Sequence, residues 1–204
     1  IRKYKGTISR VYVGNNTTIN MNGDFTQWNA SAITARYTDY KNDTVDRNTT
    51  GFGGVKYTDT TGRNDIVAAR AAKDANNFYF YVETASNITS YTDKNWMTLF
   101  LSVNNNGGPN WYGYNYAVNL KTPKDSTTAY LQQTAGGWEW YDAGTVKMKV
   151  SGNKMMVAVP RASIGATGDL FHIEFKWADN YTDNDIWSFY EHGDSAPYGR
   201  TNYV

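Results

Sequence analysis

The strongest constraint on this chain is the two-residue rhythm of its apolar positions. In the run from Phe78 to Glu83, Phe78, Phe80 and Val82 fall on one side, and Tyr79, Tyr81 and Glu83 on the other. Further along, Phe171, Ile173, Phe175 and Trp177 alternate with His172, Glu174 and Lys176. Val146, Met148 and Val150 alternate with Lys147 and Lys149. Successive side chains of a strand point to opposite faces, so each run reads as a strand with one face in a core. Helical periodicity is scarce, and clusters of Gly, Asn and Asp separate the runs. The pattern argues for a sandwich or barrel and predicts an all-β fold, an antiparallel β-sandwich, with residues 1–204 as a single domain.

Strands are expected at residues 8–13, 66–72, 78–84, 97–103, 114–120, 127–133, 138–141, 146–150, 155–159 and 170–178. Residues 97–103 are almost continuously apolar, which suits a central strand. Gly136-Gly137 and Gly152-Asn153 read as hairpin turns, and Pro160 ends the pairing that follows the second. Residues 161–164 suit one helical turn before Gly165. Residues 36–65 are polar and Gly-rich and read as one long loop, a kind of segment that tends to be functional. The Tyr-rich tail, residues 188–204, is expected to pack onto the domain.

Composition removes several classes of function. The aromatic share is 16% and the formal net charge is +1, so the chain has neither the composition of a disordered segment nor an electrostatic case for nucleic acid or an anionic membrane. With no cysteine, disulfides, thiolate metal sites and Cys nucleophiles are excluded. No apolar run is long enough for a membrane-spanning helix. A low charged fraction with abundant Asn, Thr, Gly and Tyr suits a bacterial extracellular domain. The start at Ile1 reads as a piece cut from a longer, secreted or cell-surface precursor.

Two groups of aromatics stand beside Gly/Asn turns. Trp111, Tyr112, Tyr114 and Tyr116 lie in or just after a turn-rich loop, and Trp138 and Trp140 follow Gly136-Gly137, with Tyr130 on the preceding strand. Sugar rings stack their C–H faces on aromatics and need short polar partners for their hydroxyls, so these residues are the candidate carbohydrate platform. Packing into the core is the competing account. Trp177 and Trp28 read as core, while Trp96 and Trp187 stay undecided.

Asp39, Asp43, Asp46 and Asp65 fall in the long early loop, and hard oxygen ligands of this kind suit a structural calcium ion. Solvation of a polar loop accounts for the same residues, as it does for Asp179, Asp183 and Asp185. No other cofactor is called for. Catalysis has little support: nothing in the spacing of Glu83, Glu139, Glu174 and Glu191 selects a carboxylate pair, and no nucleophile elbow, zinc helix or P-loop occurs. The chain is therefore expected not to be an enzyme.

Three stretches in register carry a family resemblance. Ile19-Asn20-Met21-Asn22-Gly23-Asp24-Phe25 followed by Trp28, then Lys73 through Val82, then Leu99 through Asn106 followed by Trp111, Gly113 and Tyr114, together resemble carbohydrate-binding modules of the family 9 type and their DOMON-like relatives. The family's acidic position after the third stretch's strand is Asn104 here. The resemblance implies a non-catalytic, jelly-roll-like β-sandwich appended to neighbouring domains of a larger carbohydrate-active protein, with a polysaccharide or glycan as partner. Two alternatives remain open: an interdomain packing module that has lost sugar binding, and a fragment of a glycoside hydrolase.

Overall fold

A computed structural model of the chain describes residues 16–44, 47–103, 108–182 and 188–197. The expected strand at residues 8–13 lies outside the described residues. The strands are β1 (Ala35–Thr38), β2 (Arg47–Thr50), β3 (Lys56–Asp59), β4 (Ile66–Lys73), β5 (Asn77–Thr84) and β6 (Thr98–Val103). They continue as β7 (Tyr116–Val118), β8 (Thr128–Gly136), β9 (Glu139–Ser151), β10 (Lys154–Pro160), β11 (Ile173–Asp179) and β12 (Asp194–Ala196). Among the described residues helix is confined to short turns, one of them the 3-10 turn Arg161–Ile164, which Gly165 ends with a φ of 66°. No helix among the described residues is long and apolar enough to cross a membrane.

Ten strands form one antiparallel sheet in the order β1-β4-β5-β10-β9-β8-β7-β6-β11-β12, and β2 and β3 pair separately. The all-β, sandwich-like architecture follows from this sheet curling onto itself. Near the two ends of the strand order, the Tyr37 ring of β1 meets Phe175 of β11 at 5.5 Å. The Ile66 amide at the start of β4 donates to Asp194 Oδ2 of β12 at 2.6 Å. One continuous core, running from Ala35 to Ala196, fills the concave side. It takes Phe78, Phe80 and Val82 from β5, Val146 and Met148 from β9, and Phe175 and Trp177 from β11, as alternation requires.

The convex side is not simply wet. The segment ahead of β1 covers β4, β5 and β10, and buries Trp28 with Ile19, Ile33, Tyr79, Tyr81 and Met156. This explains how β5 is buried on both faces. Tyr79 donates to Asp74 Oδ2 at 2.6 Å and Tyr81 to Glu83 Oε2 at 2.6 Å, so each buried hydroxyl keeps a partner. Burial pushes the Tyr79 hydroxyl up to about 12. A second convex layer lies over β6, β7 and β11 and buries Phe100, Ala178 and Phe189. Lys176, on the face opposite Phe175 and Trp177, pairs across with Phe100 and is only 1% exposed. Phe189 in the tail is buried, as a packed tail requires.

Residues 36–65 are not one loop. They hold the end of β1 and the β2–β3 hairpin, whose strands are rich in Thr and carry Tyr57. The β-branched signal was outweighed by the Gly and Asp content. Residues 139–141 and 146–150, expected as two strands, belong to one long strand, β9, which bends where its register against β8 shifts beside Gly144, at a φ of 130°, while residue 138 falls in the turn before it.

Candidate functional site

The site starts from two tight turns. Trp111 and Tyr114 exchange backbone hydrogen bonds of 2.8 and 2.9 Å, closing a four-residue turn. Its central residues, Tyr112 and Gly113, have φ of 50° and 94°. Glycine accepts such values freely, whereas an aromatic residue rarely does. Asn110 Oδ1 accepts from the Gly113 amide at 3.0 Å and braces the turn. The second turn joins β8 to β9. Gly136 and Gly137 both have positive φ, and the register shift after Thr134 moves the two-residue turn to Gly137-Trp138. Trp138 therefore sits at the hairpin tip.

The sheet brings these turns together, so the two candidate groups form one aromatic cluster. Tyr112 and Trp138, both 47% exposed, lie 5.7 Å apart at 64°. Trp111 lies below them, 5.3 Å from Tyr112 and 5.8 Å from Trp138. Trp111 in turn stacks on Phe100 of β6 at 5.2 Å and 21°. Tyr114, Tyr181 and Phe189 surround Phe100. The expectation that rings beside Gly/Asn turns reach solvent holds for Tyr112 and Trp138. It does not hold for Trp111 and Tyr114, which are 4% and 0% exposed and form the bed on which the exposed pair rests. Burial of large aromatic area is the ordinary fate of such rings, and Phe100 supplies the matching surface. Trp140 is half-buried against the same layer. Tyr116 faces the concave core, as do Trp96 and Trp177. Trp187 lies outside the described residues.

Beside this pair runs a groove of about 320 Å³, lined by Trp111, Trp140, Phe100, Leu120 and Tyr181 with the polar Asn95, Lys121 and Gln132. Lys121 is already paired: Nζ lies 2.7 Å from Asp142 Oδ2 and 4.1 Å from the centre of the Tyr130 ring. Its hydrogen bond to Asp142 raises its pKa above the ordinary lysine value. Gln132 Nε2 donates to Asp142 Oδ1 at 3.3 Å. The buried Trp111 Nε1–H has no acceptor among the described residues. Sequence reading missed Phe100, Lys121, Gln132 and Asn95. Their polar members lie on separate elements with no motif to join them, and Phe100 was read only as part of an apolar strand.

The acidic residues divide. Asp39 is half-buried, and its Oδ1 accepts from the Tyr40 amide at 2.9 Å. It takes no part in any three-residue acidic group among the described residues, whereas Asp43 and Asp65 join Asp194 in one. Asp46, Asp183 and Asp185 lie outside the described residues. Asp179 is paired with Arg63 Nε at 2.9 Å and accepts from the Met97 amide at 2.9 Å. Burial lifts its carboxyl to about 6, with Arg63 pulling the other way.

No protein-family model, curated protein or solved structure matches this chain.

Proposed function

We propose that the chain is a non-catalytic carbohydrate-binding module, and that it holds a polysaccharide or glycan against Tyr112 and Trp138 and along the adjoining groove. The observation that carries this reading is the exposed Tyr112–Trp138 pair, held on a buried aromatic bed beside a groove with Asn and Gln side chains. Rigid exposed rings offer apolar area to a sugar face at little conformational cost, and amides match hydroxyls in both donor and acceptor roles. The cation in the groove, Lys121, is neutralised by Asp142, so the site suits neutral sugars better than uronic acids. The likeness of three stretches to family 9 modules and DOMON-like domains points the same way. It extends the proposal to an accessory domain of a secreted bacterial protein.

The test is affinity electrophoresis of the isolated chain through gels containing neutral polysaccharides, with uronic-acid polymers beside them. Retardation in at least one neutral gel, reduced by Trp138→Ala, supports the reading. Unchanged mobility in every gel would instead favour an interdomain packing role, in which a neighbouring domain covers the exposed pair.

A further inference from the structure

The curled sheet is closed where β12 meets β4, and three carboxylates converge at that seam. Asp43 follows β1, Asp65 immediately precedes β4, and Asp194 opens β12. One carboxylate oxygen from each lies within 4.8 Å of the others. Oxygens at about 2.4 Å from a common calcium ion can be no more than about 4.8 Å apart, so this spacing is compatible with shared coordination. Asp65 and Asp194 are 7% and 1% exposed.

A second observation points to a ligand here. Asp65 Oδ2 accepts from the Asn42 amide at 2.8 Å, but its Oδ1 is buried with no hydrogen-bond partner among the described residues. Thr44, next to Asp43 in the chain and fully buried, likewise has an Oγ1 without a partner among the described residues. A buried carboxylate oxygen without a donor is costly, and crowding it with two further carboxylates raises that cost. A hard divalent cation removes both penalties at once.

We infer that Asp43, Asp65 and Asp194 hold a calcium ion that clasps β12 to the start of β4. This differs from the ligand set expected from the sequence: Asp39 is excluded and Asp194, far away in the chain, is included. The Ile66 amide already donates to Asp194 Oδ2 across the same seam, so the ion would reinforce a closure that the backbone has begun. The inference does not depend on sugar binding.

The test uses the intact chain, stripped with chelator and dialysed, then titrated with calcium chloride by calorimetry and followed by thermal melting. Saturable uptake of a single ion per chain is expected. At roughly hundredfold excess over its Kd, calcium should raise Tm by about 5–10 °C, because a ligand specific for the folded state stabilises it by mass action. Hydrogen exchange at the Ile66 amide should slow on adding calcium. Asp65→Asn and the more exposed Asp43→Asn should each lose the uptake and the Tm shift. If a variant does not fold, the wild-type titration and the Ile66 exchange still decide. Absence of uptake by the wild-type chain, or calcium uptake retained in a folded Asp43→Asn or Asp65→Asn variant, would overturn the assignment.

Discussion

Tyr112→Asn separates binding from folding, because the structure sets two stability terms against each other at that residue. Tyr112 holds a φ of 50° at a turn tip. The left-handed region costs an ordinary L-residue about 1–2 kcal/mol, and asparagine occupies it more readily. Against that relief stands the lost contact of the ring with Trp111 and Trp138. The residue is 47% exposed, so about half of it contributes to packing. Half of roughly 200 Å² at about 25 cal/mol per Å² is an upper value of about 2.5 kcal/mol, less the part an unfolded chain already buries. The terms nearly cancel, and the variant should melt within about 1 kcal/mol of wild type, or a few degrees.

Binding has no such compensation. The exposed half of the ring is the surface a sugar would cover, and losing it should weaken retention by roughly 10- to 50-fold. Affinity electrophoresis beside a thermal melt reads both quantities. A variant that melts normally and binds normally would refute the placement of the sugar at Tyr112. A variant destabilised by more than about 3 kcal/mol would refute the strain argument.

Trp111→Ala should behave differently, since Trp111 is buried and stacked on Phe100. It should cost about 3–5 kcal/mol in chemical denaturation, with any loss of binding following from a collapsed bed. Asp74→Asn tests a hydrogen-bonded carboxylate. Asp74 caps its own turn by accepting from the Asn76 and Asn77 amides and also accepts from the Tyr79 hydroxyl. Although burial opposes ionisation, these hydrogen bonds hold its pKa below the ordinary 3.8. A lowered folded pKa means stability that is present above the unfolded value and lost as pH falls through the folded one. Asp74→Asn should therefore cost about 1–2 kcal/mol at neutral pH. The gap from wild type should shrink under acid, and a gap that widens on acidification would contradict this.

The alternation legible in the sequence accounts for the concave core well, because a period of two fixes which side of a strand faces inward once a core exists. It could not say that the convex side is covered too. That covering depends on segments remote in the chain, such as residues 16–33 over β4, β5 and β10. Tyr79, Tyr81 and Lys176, on the faces opposite the concave core, are therefore buried as well. The candidate site was half legible. Turn chemistry picked out Trp111 to Tyr114 and Trp138, but which rings face solvent depended on Phe100 and on a register shift that moved the hairpin turn by one residue. Asp194 was out of reach of any spacing argument, since only closure of the sheet brings it to Asp65.

The central claim is that the Tyr112–Trp138 surface and its groove receive a sugar. The most direct measurement follows the tryptophan indole N–H resonances in two-dimensional nitrogen–proton spectra during titration with an oligosaccharide cut from a retarding polysaccharide. The signals of Trp138, Trp140 and Trp111 should move together and saturate, the last two because their rings line the groove. Those of Trp28, Trp96 and Trp177, buried elsewhere in the fold, should stay in place. Saturating shifts confined to other parts of the chain, with the Trp138 and Trp140 signals unmoved, would contradict it.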